Sequence, residues 1–263
     1  MGYHRPIMRR LSEALPGSSS APLVALAGLL AIVGLSACAT RTGSDGQPEA
    51  HFSPAQIAKS DVDRVIDANR RELDASLKRL AEKLYRRNPR EWKKAEQPSL
   101  EEALARLSDM ARAHAELDRL QPDLRESKAA LAAFREDYSG DRVLALISGL
   151  RDMVDAAFEH KTEFYMLDSL DAQKLYNCAR NVEIAVWKLN SARDGEGQPV
   201  LYANEGDPGN RNLSFEREFG RVIGLLDFLS IVVADKNGRN VTRLAQNVAT
   251  AFFLPVKDLM FTK

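Results

Sequence analysis

The sequence lacks an excess of charge of either sign, because its 263 residues contain 37 lysines and arginines and 37 aspartates and glutamates. This balance argues against a nucleic-acid-binding protein, which usually carries a strongly basic surface. The sequence also contains no GxSxG, GxGxxG, GxxxxGKS/T or HExxH motif, although such motifs mark many nucleophilic, phosphate-binding and zinc sites. We therefore predict no catalytic residue and no cofactor, while enzymatic activity stays an open alternative.

Residues that bind metals or form disulfides are equally scarce. The chain contains only two cysteines, Cys38 and Cys178, which in an exported protein would suggest a disulfide. His160 lies three residues before Glu163 on a predicted helix face, but a transition-metal site needs three or four converging ligands. We therefore predict no metal site and interpret His160 as part of a solvated helix end.

The N-terminal segment has the pattern of a secretory signal peptide. A basic start that includes Arg9 and Arg10 precedes an uncharged apolar run from residue 21 to residue 39, and small residues close that run. An uncleaved transmembrane helix is the alternative, because about 20 apolar residues span a bilayer. A proline, two glycines and an alanine-rich composition argue against it. A twin-arginine signal is a further alternative that the residues after Arg10 fit poorly.

The end of this run, Leu35-Ser36-Ala37-Cys38, resembles the lipobox of bacterial lipoproteins. The resemblance implies a diacylglyceryl group on the Cys38 sulfur, cleavage before Cys38, and acylation of the new amino terminus, for example with palmitate. Several acyl chains together anchor a protein stably, whereas one chain binds a membrane only marginally. In lipoproteins of cells with two membranes, alanine after the cysteine, here Ala39, implies the outer membrane on its periplasmic side.

These features divide the chain into three parts. Residues 1–37 are the signal peptide, residues 38–51 are the lipidated N-terminus with a flexible tether, and residues 52–263 are a helical periplasmic domain. A structured arm is the alternative for the tether. Cleavage removes three arginines and one glutamate, which leaves 34 basic and 36 acidic residues and a net charge of −2. Because lipidation occupies Cys38, we interpret Cys178 as a single, buried, apolar thiol.

The remaining sequence predicts an all-α fold, either a multi-helix bundle or an extended helical hairpin with one long irregular loop. Apolar residues recur at helical spacing from Ser53 onward, which indicates amphipathic helices. Up to about residue 138 these helices are charged and contain few large apolar residues, and we expect a more densely packed core after it. The loop at 194–213 is expected to contain a short strand at 200–202. The predicted helices cover residues 53–88, 99–121, 123–138, 141–161, 170–192, 214–237 and 240–254.

A local excess of positive charge lies between residues 82 and 94. Two aromatic residues, Tyr85 and Trp92, lie among six cations, and only Glu82 and Glu91 oppose them. Such a segment can bind anionic headgroups or phosphate, or it can be a solvated corner between two helices. The residues of this candidate anionic-surface patch are Lys83, Arg86, Arg87, Arg90, Lys93 and Lys94.

The apolar segment 222–234 contains a single charged residue, Asp227. Because an isolated buried carboxylate is costly, we expect Asp227 either to face solvent or to pair with Arg180 or Arg243. We interpret the segment as a central core helix, and a face that accepts a partner protein is the alternative. Polar residues on neighbouring helices predict a buried network that specifies packing. Its candidate members are Arg180, Asn181, Asp227 and Asn247.

Together these patterns favour an envelope lipoprotein with a structural or interaction role, for example as an accessory subunit of an envelope assembly or transport machine. We expect membrane contact through the lipid on Cys38, a protein partner in the envelope, and no contact with nucleic acid. One alternative is an enzyme acting on peptidoglycan, which would need two carboxylates facing a cleft. Another is a lipid- or glycolipid-binding protein with a large apolar cavity. A calcium site near Asn204 and Asp207 is a further alternative, although the usual calcium-loop spacing is absent.

Overall fold

The computed structural model of the protein describes residues 59–204, 213–238, 241 and 252–256. Within these ranges the chain forms eight α-helices and no β-strand, which confirms the predicted all-α helical bundle. The helices, numbered along the chain, are α1 (Asp61–Arg87), α2 (Pro89–Lys94), α3 (Leu100–Ser108), α4 (Met110–Leu120), α5 (Glu126–Ala132), α6 (Arg142–Ala157), α7 (Ala172–Ser191) and α8 (Ser214–Asn237).

Helix α1 begins behind a capping box formed by Ser60 and Asp63. The Ser60 hydroxyl accepts the Asp63 N–H at 3.2 Å, and the Asp63 carboxylate accepts the Ser60 N–H at 2.8 Å. Two amide groups that lack helical partners are thereby satisfied. The predicted helix start at Ser53 lies outside the described residues. A helix continuous through residue 60 is nevertheless wrong, because Ser60 has the extended backbone of an N-cap.

The apolar stripe of α1 is buried as its spacing predicts, except that Val62 is half-buried and Val65 is 38% exposed. Burial of one leucine side chain contributes about 1.5–3 kcal/mol to folding. Asn88 ends α1 as predicted, and Pro89 then begins α2, because proline needs no amide partner at the first helical position. The buried members of the stripe are Ile66, Leu73, Leu77, Leu80 and Leu84.

The predicted helix at 99–121 is in fact two helices. The Ser99 hydroxyl accepts the Glu102 N–H at 3.2 Å and so caps α3. Asp109 then leaves the helical conformation, and its carboxylate accepts the N–H groups of Ala111 and Arg112 at 3.1 and 3.2 Å. The prediction was wrong because an aspartate side chain competes for backbone N–H groups and can start a new helix within an amphipathic run.

Helix α6 is the centre of the bundle. Thirteen of its sixteen residues are buried, and it packs against α1 to α5 and α7. Asp141 caps its first turn by accepting the Leu144 N–H at 2.9 Å. Gly149 allows the close approach of α5, because a Cβ atom there would lie 2.4 Å from the Glu126 carbonyl oxygen. The highly charged helix α1 and the more apolar helix α6 therefore share one hydrophobic core.

Helix α8 has the predicted bounds but a different environment from the predicted one. Gly238 ends it in the left-handed conformation with φ 60°, which glycine adopts without a Cβ penalty. The interpretation of residues 222–234 as a central core helix is wrong, because Phe228 and Ile231 are 55% and 50% exposed. The helix packs on α1 and α7 and leaves its other side uncovered by the described residues. In the described ranges, no helix has the length and hydropathy needed to cross a bilayer.

Several predicted boundaries near the loops are also wrong. The third and fourth predicted helices are shorter in the structure, where α5 and α6 end at Ala132 and Ala157. The expected strand at 200–202 is absent from the described residues, and a single antiparallel bridge joins Arg193 to Pro199. Residues 252–256 are not helical, so the last predicted helix does not reach residue 254. Residues 240 and 242–251 of that prediction lie outside the described ranges, and residue 241 is not helical.

Candidate functional site

The predicted cationic patch forms a corner where α1 ends and α2 begins. The Lys83 ammonium donates to the Ser214 carbonyl at 3.0 Å, so it joins this corner to the start of α8. The Arg90 guanidinium donates to the Val200 carbonyl at 2.8 Å and lies 5.8 Å from the Tyr202 ring centroid. Both side chains therefore hold neighbouring segments in place as well as carrying positive charge.

Glu91 neutralises part of this corner from within. Its carboxylate is fully buried and accepts hydrogen bonds from Arg90, Lys94 and the Arg142 N–H at 3.2, 3.2 and 3.0 Å. Arg86 pairs with Glu82 on the surface at 2.8 Å. Several cations of the patch are therefore paired with carboxylates, and the six cations do not form one uniform cationic surface.

Asn88 fixes the chain segment that lies next to this corner. Its buried amide donates to the Tyr202 carbonyl at 2.8 Å and accepts the Tyr202 N–H at 2.7 Å. These two bonds satisfy the backbone of a residue that belongs to no helix. The linear pattern predicts Asn88 only as a helix stop, because its partner lies 114 residues further along the chain.

A groove of about 340 Å³ opens where the corner meets the end of α7 and the segment held by Asn88. Two guanidinium groups, two side-chain amides and one aromatic ring line it, and none of its described lining residues is a carboxylate. We call it the loop groove. Its polar and aromatic lining residues are Arg87, Asn190, Arg193, Tyr202 and Asn204.

Glu216, at the start of α8, orients both amides of the loop groove. Its carboxylate accepts the Asn190 amide at 2.8 Å and the Asn204 amide at 2.7 Å. The Asn204 side-chain oxygen is buried and has no hydrogen-bond partner in the described structure. Arg193 donates to the carbonyls of Asn190 and Ala192, both at 3.0 Å, and has no acidic partner among the described residues.

The chemistry of the loop groove suits anionic groups. A guanidinium presents donors in a planar fork that matches carboxylates and phosphates, and an aromatic ring adds apolar contact area. Arg87 and Arg193 reach the groove from segments more than a hundred residues apart in sequence. The local excess of cations predicts Arg87 as a patch residue but gives no sign of Arg193 or Asn190, because only the folded chain brings these positions together.

The predicted buried network is divided in the structure. Arg180 bonds Asp227 at 2.6 Å and Glu183 at 3.1 Å, but the Arg180 and Asp227 side chains are 25% and 38% exposed. Asn181 is fully buried and instead accepts the Leu254 N–H at 2.6 Å and donates to the Leu254 carbonyl at 2.8 Å. Asn247 lies outside the described residues, as does Arg243. Arg180 and Asn181 thus serve two different contacts.

A fully buried ionic centre lies at the start of α6. The Asp141 carboxylate accepts hydrogen bonds from Arg106 at 2.7 Å and from the Tyr85 hydroxyl at 2.8 Å. Burial raises the pKa of Asp141, and the nearby Glu91 carboxylate acts in the same direction, while the Leu144 N–H, Arg106 and Tyr85 oppose the rise. Each Asp141 oxygen is already used in capping or pairing, so this centre is structural.

Other candidates for chemistry remain weak among the described residues. A second groove of about 320 Å³ runs beside α1 and α3, and Asp74 is the single carboxylate among its lining residues. The described ranges contain no group of three metal-binding side chains. His160 bonds Asp155 at 2.6 Å, and Glu163 accepts the Tyr165 hydroxyl at 2.7 Å. The described lining residues of the two grooves therefore do not include the paired carboxylates that the peptidoglycan-enzyme alternative needs.

Of the two cysteines, only Cys178 lies within the described residues. Cys178 is fully buried in α7, and burial raises the pKa of its thiol to about 12, so it is the inert, buried thiol that was predicted. Cys38, the tether at 38–51 and Asp207 of the calcium alternative lie outside the described residues. Comparisons with protein-family models, with curated proteins and with solved structures found no match for this chain.

Proposed function

We propose that this protein is a lipid-anchored interaction protein of the bacterial envelope, and that its helical domain binds an anionic group of an envelope partner in the loop groove. The observation that carries the interaction role is Arg193, which lines an open groove and has no acidic partner among the described residues. A guanidinium in a concave surface attracts and orients carboxylates or phosphates.

Hydrogen bonds hold the lining residues of the loop groove in place, so the groove is preorganised for binding. Asn88 holds Tyr202 by two backbone bonds, and Glu216 holds the Asn190 and Asn204 amides. Side chains that are fixed before binding lose less conformational freedom when a ligand arrives. The groove is lined by guanidinium and amide groups, which suit a side chain or terminus of a protein partner better than an acyl chain.

The proposed location rests on the sequence. Leu35-Ser36-Ala37-Cys38 ends an apolar run in the order of a lipobox, and Ala39 favours the outer membrane on its periplasmic side. A lipid anchor with a tether would present the domain to other envelope proteins at a high local concentration. An accessory subunit of an envelope assembly or transport machine would have this arrangement.

The anchoring part of the proposal is tested by Cys38→Ala in cells that express the full chain. We expect the wild-type protein to fractionate with membranes and to have the mass of an acylated chain that starts at Cys38. The variant should lose the acyl mass. A wild-type protein that is unmodified and starts at Met1 would contradict the lipoprotein proposal.

The binding part is tested by Arg193→Glu, with affinity purification of the full chain from cross-linked cells. We expect recovery of the main partner to fall by about tenfold, because hydrogen bonds to charged groups each contribute about 1.5–3 kcal/mol. Arg119→Glu is the matched control, since Arg119 is an arginine on α4 that is 77% exposed. Arg193→Lys should retain part of the recovery.

The two parts of the proposal can fail separately. If Cys38→Ala abolishes partner recovery but Arg193→Glu leaves it unchanged, the anchor is right and the loop groove is the wrong site. If Arg119→Glu lowers recovery as much as Arg193→Glu does, the partner responds to net charge alone. Circular dichroism of each variant confirms that the helical fold is retained.

A further inference from the structure

The outer face of α8 carries an apolar stripe that no described segment covers. Phe228 and Ile231 are 55% and 50% exposed, and Leu225 and Val232 beside them are half-buried. Residues three and four apart share one side of a helix, so these four side chains form a continuous surface. Contiguous exposed apolar groups on a protein surface mark interaction sites.

A cation, Arg221, and an anion, Asp235, lie at the two ends of this apolar stripe. The Arg221 side chain is 46% exposed, and its guanidinium lies 4.0 Å from the nearest Glu72 carboxylate oxygen. Asp235 is exposed, and its side chain makes no ion pair with the described residues. Each charge lies seven positions from Phe228, which corresponds to about 10 Å along a helix axis. The charges are therefore placed at equal distances on either side of one aromatic ring.

The remaining positions of the outer face show the same symmetry. Gly224 lies four residues before Phe228 and Val232 lies four residues after it, while Leu225 and Ile231 lie three residues to either side. A Cβ atom at Gly224 would meet nothing within 4 Å, so this position leaves room for a side chain from outside. On the two sides of Phe228, a small residue thus lies at the same distance as a branched one, and a positive residue at the same distance as a negative one.

We infer that α8 binds α8 of a second copy of this chain in antiparallel orientation, with Phe228 at the two-fold axis. In that register each Arg221 faces Asp235 of the second copy, and each Gly224 faces Val232 of the second copy. Leu225 faces Ile231 of the second copy in the same way. A two-fold interface requires one surface to be complementary to itself, and the outer face of α8 between Arg221 and Asp235 meets that requirement in charge and in side-chain size.

A second copy fits this face better than a lipid surface does. Anionic membranes attract cations, whereas Asp235 would be repelled at the same depth as Arg221 is attracted. The stripe between the two charges is about 20 Å long and belongs to one helix, which is less than the area of a standard stable interface. The pairing therefore produces a dimer that dissociates readily.

Cysteine cross-linking of the full chain in cells tests both the partner and the register. Phe228→Cys places two thiols at the two-fold axis, so we expect a disulfide-linked dimer under mild oxidation. Arg221→Cys or Asp235→Cys alone should not give a dimer, because the two equal thiols would lie about 20 Å apart. Co-expression of Arg221→Cys with Asp235→Cys should give a dimer. The wild-type chain, with its own Cys38 and Cys178, supplies the baseline.

Charge reversal in the Phe228→Cys background provides a second measurement. Arg221→Glu should lower the yield of disulfide-linked dimer by about fivefold, because two attractive contacts become repulsive. Adding Asp235→Arg to the same chain should restore the yield. These positions are exposed, so the variants should keep the helical circular dichroism of the parent protein.

Three outcomes would overturn the inference. The first is a folded Phe228→Cys protein that gives no dimer above the wild-type baseline. The second is a cross-linked species with the mass of this chain plus a different protein, which would assign the face to another partner. The third is efficient cross-linking of Arg221→Cys alone and of Asp235→Cys alone, which would indicate parallel pairing or random collision.

Discussion

Helices α6 and α8 have similarly apolar sequences but opposite surroundings. Thirteen of the sixteen residues of α6 are buried, whereas nine of the twenty-four residues of α8 are buried. Helix α6 has neighbours on every side, and α8 rests on α1 and α7. Apolar composition predicts that a helix packs against something, but it does not predict on how many sides or against which molecule.

The two helices are also attached by different kinds of ion pair. At the start of α6, Asp141 pairs with Arg106, and both residues are almost fully buried. At the end of α8, Lys236 bonds the buried Asp63 at 2.8 Å, but the Lys236 side chain is 27% exposed. The loss of one partner from the buried pair leaves a charge that water cannot reach, while water can partly replace Lys236.

The largest effect is expected from Arg106→Ala. The substitution leaves the Asp141 carboxylate buried without its cation, which should lower the free energy of unfolding by about 3–5 kcal/mol. Urea denaturation at neutral pH measures this change. Arg119→Ala, on an exposed surface pair, should change stability by less than about 0.5 kcal/mol. Equal effects of the two substitutions would contradict the structural role of the buried ionic centre.

A smaller loss is expected from Gly149→Ala in α6. Alanine favours helices over glycine, but its Cβ would lie 2.4 Å from the Glu126 carbonyl oxygen and 2.5 Å from the Ala130 nitrogen. Both atoms are backbone, so α5 would have to move, and overpacking of this kind costs about 1–3 kcal/mol. Thermal denaturation should show a lower melting temperature. An unchanged or higher value would mean that α5 packs less closely on α6.

The contrast also shows which features can be read from the sequence. Asp141 and Gly238 mark their helix ends in the linear pattern, because a cap acts on backbone groups within a few residues. The division of the second predicted helix at Asp109 was missed, since a capping residue can also occur inside an amphipathic run. The sequence predicted α8 as a central core helix, whereas α6 is the central helix in the structure. This prediction was wrong because local periodicity carries no information on how many neighbouring helices surround a helix.

The loop groove was beyond sequence reasoning for a similar reason. Arg87 belongs to α1, Asn190 to the end of α7, and Arg193 and Asn204 to the segment after it. Their proximity depends on how α1, α7 and α8 pack, and on the two bonds between Asn88 and Tyr202. A local composition signal identified the cations of the α1–α2 corner, but it could not separate those paired with Glu91 from those that line a groove.

The attachment of α8 should depend on pH through Asp63. Burial opposes ionisation of Asp63, but bonds from Lys236 and Ser60 outweigh it and hold the pKa below the ordinary value of 3.8. The ionised pair therefore stabilises the fold above about pH 4, and this contribution is lost as the pH falls through the lowered pKa. Lys236→Gln should cost about 1–2 kcal/mol at pH 7, and the difference from wild type should shrink below pH 4. Urea denaturation at several pH values measures it, and a constant difference would contradict the assignment to Asp63.

The smallest effect, and the one of opposite sign, is expected from Gly220→Ala in α8. A Cβ at this exposed position would meet nothing within 4 Å, so alanine should stabilise the helix by about 0.5–1 kcal/mol through its lower conformational entropy in the unfolded chain. The same substitution that destabilises α6 at Gly149 should thus raise the melting temperature here. The measurement is made at low protein concentration and repeated with Phe228→Glu, which removes any contribution from pairing of α8. A loss of stability in both backgrounds would mean that another part of the chain packs against this side of α8, and the contrast between the two helices would then be smaller than the described residues indicate.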